Sequence, residues 1–369
     1  MTAAERLRAW TEALVRAPGL SGHEGPVRAR LAEDLRALGL APKADVLGNL
    51  MATLPGDPAR PSVMLFAHMD QLGLVVRRIE PDGFLRVERV GGVPEKALPA
   101  QAVSIGTRDG GQLPGVIGLR SHHATPPEEK TRVIPYRELY IDAGFDSTEA
   151  ARAAGVEIGA PVIYAPRLIA LGPHRLAGSA LDDRAGCAVV LEAARALLET
   201  DDRPTVHVVF SVQEEFNLRG AVTAAQVLRP AIALQIDLAL AADTPEMRDW
   251  GEVRLGGGPA IGVYSFHGRG TLNGLIPHPA LVALAEHAAA AEGLPLQRSA
   301  HVGALTETSY IQLLGEGVAC LDLAFPIRGS HSPLELADLR DLEGLARLST
   351  AMIRGVGPDF PLIRDETRP

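Results

Sequence analysis

Residues 206–215 read VHVVFSVQEE, an apolar run that ends in two adjacent carboxylates, Glu214 and Glu215. A short apolar stretch that breaks into charge at its carboxyl end reads as a strand buried on both faces, with its end open to a site. The pattern recurs along the chain. PSVMLFAHMD (61–70) ends in His68 and Asp70, IALQIDLAL (232–240) carries Asp237, and VACLDLAFP (318–326) runs toward GSHSP and His331. Helical stretches lie between them: CAVVLEAARALLE (187–199), entered from ALDDRAG, and PHPALVALAEHAAAAEG (277–293). Strands alternating with helices predict an α/β fold with a mostly parallel sheet flanked by helices. Ligands of such sheets gather beyond the carboxyl ends of the strands.

Working outward, the amino-terminal segment predicts two helices, one on Leu7, Trp10 and Leu14 and one on Val27, Leu31, Leu35 and Leu38. Pro18-Gly19 separates them, and Ser21 with Glu24 fits a capping box for the second. From about Gly73 to Ile169 the texture changes. LGLVVRRI, FLRVERV, QAVSIGT and GVIGL alternate with turns such as Pro81-Asp82-Gly83, which predicts an inserted β-rich, barrel-like module. The polar stretch SHHATPPEEK (121–130) is expected as a loop within it, and Gly256-Gly257-Gly258 as another. The expected division is therefore a discontinuous catalytic domain, 1–72 with 170–369, interrupted by an insert, 73–169.

The chain has 369 residues and a formal net charge of −9, which argues against nucleic acid as a partner. Its only cysteines, Cys187 and Cys320, each lie in an apolar run and are expected as buried free thiols. The first residues carry Glu5 and lack an apolar signal core, and no run approaches the ~18 apolar residues of a membrane span. A cytoplasmic location is the expectation.

His68, Asp182, Glu214, Glu215, Asp237 and His331 offer two imidazoles, three carboxylates for binding and one spare carboxylate. That inventory suits two divalent ions sharing one aspartate, with a glutamate left free beside them. Three ligand carboxylates leave two divalent ions with net positive charge, which lowers the pKa of a water held there. Glu214 is then the expected proton shuttle. Adjacent glutamates suit the split, because at a strand end one can bind metal while the other faces the water. Asp70, two residues past His68, is expected to orient its imidazole. Alone, each fragment reads more simply as a helix cap, a solvated pair or a structural histidine; the ordered set points to a metal-dependent hydrolase.

At these residues the chain resembles the tetrahedral aminopeptidases, also called glutamyl aminopeptidases and, historically, cellulases of the FrvX type. GLSGHE, AHMDQLG, ALDDRAGC, VQEEFNLRGA, QIDLALAADTP and PIRGSHSP follow in the family's order, and SHHATPPEEK with ELYIDAGFDS resembles its insert. The resemblance implies one metal site from His68, Asp182 and Asp237, and a second from Asp182, Glu215 and His331. It further implies Glu214 as general base, Asp70 as the residue that orients His68, and zinc or cobalt as the metal, with manganese also suited to the carboxylates. The implied substrate is a peptide with a free amino terminus. The implied assembly is a homo-oligomer, with insert-mediated dimers building a tetrahedral dodecamer. Two departures stand out. Gln71 replaces a common Glu, and HVGALTETSY (301–310) replaces a Gly-Gly-Thr-Asp-Ala-Gly segment, with Thr306 and Glu307 at the Thr-Asp positions. His122, His123 and His301 read as loop or inter-subunit residues rather than site groups.

Three other readings share parts of this pattern. A deacylase of N-acylated amino acids would use the same ligands and prefer blocked amino termini. A glycosidase needs two carboxyls flanking the bond and no dinuclear metal centre. A non-enzymatic metal scaffold could keep the fold, but would most cheaply lose Glu214 or a ligand.

Overall fold

The computed structural model describes residues 1–266 and 274–365. Its central sheet runs Lys43–Ala44, Leu50–Leu54, Val206–Ser211, Val63–His68, Ile232–Leu240, Ala319–Ile327, Ala260–Phe266 and Gly274–Leu275. Gln297–Val302 adds alongside Ala260–Phe266. The four inner strands that carry or precede the candidate residues are parallel to one another, with antiparallel strands on either side. All six residues of Val63–His68 are buried, because both faces of the sheet are covered. Alternation splits them between two cores. Val63, Leu65 and Ala67 join the larger core with Leu7, Leu14, Val190 and Leu345. Met64 and Phe66 face the opposite side with Ala221, Ala224 and Ala225.

The helices supply those covers. Ala3–Arg16, Leu181–Leu197 and Leu339–Gly355 contribute to the larger core, and Gly220–Leu228 to the smaller. The first helix has a capping box at Thr2 and Glu5. The capping box expected at Ser21 and Glu24 is absent. Gly25–Ala37 begins without a side-chain cap, and both side chains bond elsewhere: the Ser21 hydroxyl donates to Asp70 Oδ2, while Glu24 Oε1 accepts from Gly22 N and Gln213 N.

The β-rich segment closes into a barrel of Gly73–Ile79, Leu85–Val90, Ile141–Asp142, Gln112–Ile117, Ala102–Gly106 and Pro161–Tyr164. Leu74, Val76, Leu85, Val103, Ile105 and Ile141 fill it as a separate apolar cluster. Gly115 is confined by that filling, since a Cβ there would lie 2.8 Å from Ile141 Cγ2. SHHATPPEEK forms short 3-10 turns, and Cys187 and Cys320 are free and buried. No helix among the described residues is long and apolar enough to cross a membrane.

Candidate metal centre and active site

The sheet brings the candidate residues together at one edge. His68 ends its strand in register with Ser211, and the chain leaving Ser211 turns through Gln213 (φ 57°) into Glu214 and Glu215. Asp237 pairs with Ala324 on the next strands, and His331 follows four residues after Ile327. Asp182 arrives from the opposite direction, at the irregular, buried start of helix Leu181–Leu197.

Asp182 stands between the two imidazoles. Its Oδ1 is 3.1 Å from His68 Nε2 and its Oδ2 is 3.5 Å from His331 Nε2. Glu215 Oε2 is 3.7 Å from the same His331 nitrogen, and Glu214 Oε2 is 3.9 Å from His68 Nε2. Two groups each present three ligand atoms within 4.8 Å of one another: His68 with Asp182 and Asp237, and Asp182 with Glu215 and His331. Only Asp182 belongs to both.

Asp70 spends its carboxylate mainly on the strand turn. Its Oδ1 accepts from Glu214 N at 2.9 Å and its Oδ2 from Glu215 N at 3.1 Å. His68 Nδ1 lies 3.2 Å from the Asp70 carbonyl oxygen and 3.5 Å from its Oδ1. One buried aspartate thus touches three of the candidate residues.

Two further supports went unread in the sequence. Glu335, buried, accepts from His331 N at 2.6 Å through Oε1 and from Asp182 N at 3.0 Å through Oε2. It ties the backbones of both residues of the Asp182–His331 pair, and holds His331 at φ 67°. Gly92, on the loop that leaves barrel strand Leu85–Val90, lies against the His331 ring. Its carbonyl oxygen is 3.1 Å from His331 Nδ1, and a Cβ at Gly92 would come within 2.6 Å of that nitrogen. The Gly91-Gly92 pair was the available signal. Gly92→Ala is expected to displace the imidazole and weaken metal binding roughly 10- to 100-fold, as loss of an orienting partner does. Calorimetric titration with Zn checks this; wild-type affinity would show that the ring is held otherwise.

The charges are crowded. Burial pushes the Glu214 and Glu215 carboxyls well above their ordinary range, and neighbouring carboxylates push further. Asp237 is pushed up to about 7, by burial first and then by Asp182. Burial disfavours charge on His68 too, but Glu214, Asp182 and Asp70 outweigh it and raise its pKa well above the ordinary value. The cavity around these groups has a volume of about 870 Å³, and no described lining residue is a Lys or Arg. Glu215 Oε1 is buried with no hydrogen-bond partner among the described residues. Clustered carboxylates, an orphaned carboxylate oxygen and two imidazole nitrogens facing one shared carboxylate fit two divalent cations.

The departures from the family pattern also take shape. Gln71 Oε1 accepts from the buried Arg184 guanidinium at 3.1 Å, where a Glu would pair its charge. Glu307 turns inward, accepting from Ser211 Oγ at 2.5 Å and from Ala221 N at 2.7 Å. His301 lines the cavity, while His122 sits with Lys130 at the barrel, away from the centre.

A parallel sheet that gathers two histidines and a set of buried carboxylates over one open cavity defines a hydrolase of the metallopeptidase class. The chain belongs to the M42 glutamyl aminopeptidase family, whose model matches residues 48–348. It is 39% identical over 348 residues to the putative aminopeptidase SgcX of Escherichia coli, covering 94% of this chain and 93% of that one. It is 34% identical to the lysyl aminopeptidase of Pyrococcus furiosus, covering 94% and 97%. Among solved structures it is similar to an aminopeptidase of Desulfurococcus kamchatkensis (TM-score 0.89, 35% identity, 97% of each chain). It is similar also to the TET1 peptidase of Pyrococcus horikoshii, which can assemble into a tetrahedron or a large octahedral shell (TM-score 0.83, 30% identity, 95% and 99% coverage). The expected α/β sheet with an inserted barrel is thus the fold of this family.

Proposed function

We propose that this chain is an aminopeptidase that removes amino-terminal residues from peptides at a two-metal centre. The observation that carries the reading is Asp182, whose two carboxylate oxygens each face a different imidazole. One ion would be held by His68, Asp182 and Asp237, the other by Asp182, Glu215 and His331, with Asp182 shared. Zinc and cobalt suit this donor set, and manganese suits its carboxylates. When bound, two such cations supply the positive charge that acidifies a water and polarises a scissile carbonyl.

The chain's own groups do the rest. Glu214 takes a proton from the attacking water and delivers it to the departing amine nitrogen as the C–N bond breaks. Its raised proton affinity suits that exchange. Asp70 holds the Glu214 and Glu215 backbone against the His68 side, so that the base and the ligands keep their spacing. The products are a free amino acid and a peptide shortened by one residue.

In this reading residues 1–72 and 170–369 form the catalytic domain, and 73–169 form an inserted dimerisation domain. Dimers would assemble into a tetrahedral dodecamer, by analogy with the Pyrococcus horikoshii peptidase, and such enclosure would admit short or unfolded peptides. A cytoplasmic location is part of the same reading.

The test is hydrolysis of free-amine aminoacyl anilides beside their N-acetyl counterparts, before and after chelation. Cleavage of free amines alone, abolished by chelation and restored by Zn or Co, is expected. Cleavage of only the acetylated set would make the protein a deacylase.

A further inference from the structure

We infer that the preferred substrate carries an uncharged, apolar side chain at its amino-terminal residue, such as Leu or Met. The inference rests on the aminopeptidase reading and adds the class of residue removed.

A substrate whose scissile bond reaches the Asp182 centre must lay its first side chain against the rest of the cavity wall. The apolar part of that wall comes from Leu238 and Leu240, just past Asp237, from Leu305 across the cavity, and from Phe216 and Leu218 beside Glu215. Every carboxylate among the described lining residues already belongs to the centre, and none of them is a Lys or Arg. An amino-terminal Glu therefore meets no Lys or Arg among the described lining residues. His301 is the basic lining side chain outside the centre among the described residues, and burial lowers its pKa, toward the neutral imidazole.

An amino-terminal Lys fares no better. Two further acidic groups lie near this wall, and both are turned away from it. Glu307 is buried on Ser211 Oγ and Ala221 N. Asp322, behind Thr306, accepts from Thr306 Oγ1 at 2.7 Å and from Thr308 Oγ1 at 2.6 Å. A charged side chain on this wall would be partly desolvated without a partner among the described lining residues, whereas an aliphatic one gains from leaving water. The preference differs from those in the names of the glutamyl family and the lysyl relative.

The test compares kcat/KM of the full-length, metal-reloaded protein on the p-nitroanilides of Leu, Met, Glu and Lys. Leu and Met are expected to exceed Glu and Lys by at least roughly tenfold, the discrimination one buried aliphatic side chain supplies. Equal or faster cleavage of Glu or Lys overturns the inference with the aminopeptidase reading intact. Cleavage of none of the four removes both. Leu305→Arg and Leu240→Arg add a check that cancels any general loss of activity. In at least one, the ratio of Glu to Leu turnover is expected to rise tenfold or more; an unchanged ratio in both would mean that the side chain lies elsewhere.

Discussion

Replacement of Asp182 by Ala is expected to abolish binding of both metal ions, whereas Asp237→Ala or Glu215→Ala loses one. The reason is geometric. Asp182 is the single residue common to the two ligand groups, with one oxygen turned to each imidazole. Deleting it leaves each group with two ligands, and leaves His68 without the acceptor 3.1 Å from its Nε2. The affinity loss should exceed the 10- to 100-fold typical of orienting partners, so about 100-fold or more at both sites. Calorimetry with Zn, alongside circular dichroism to confirm folding, reads this directly. A variant that kept one tight ion would place the shared ligand elsewhere.

Glu214→Gln is expected to do the reverse: keep the metal and lose turnover. Gln fills the same space, and Glu214 is in neither ligand group. It cannot take the proton from water. The contribution of a positioned acid–base group is about 10²- to 10⁴-fold in kcat, or about 3–5 kcal/mol of barrier. Metal affinity should change far less. Near-normal kcat in this variant would refute Glu214 as the base.

Much of this architecture was legible in the chain because burial and chemistry leave opposite marks. VMLFA and VVF are apolar runs because both faces of their strands are covered there, so a polar residue just past them stands out. Asp237 stands out for the same reason within IALQIDLAL. Glu335 left no such mark. Its function is two backbone hydrogen bonds to residues 153 and 4 positions away, and nothing in SPLE announces them. Gly92 is likewise intelligible only once the barrel loop meets His331. Ser21 and Glu24 misled because a capping box is a local pattern. The fold instead offered Ser21 the Asp70 carboxylate and gave Glu24 the Gln213 amide, and those tertiary partners won.

The most direct test of the two-metal account is a single titration of the chelated protein with Zn, following bound metal per chain and hydrolysis of a free-amine anilide together. The account predicts no activity at zero equivalents and full activity as bound metal approaches two per chain. Full activity with metal stripped away, or a plateau reached at one ion per chain, would contradict it.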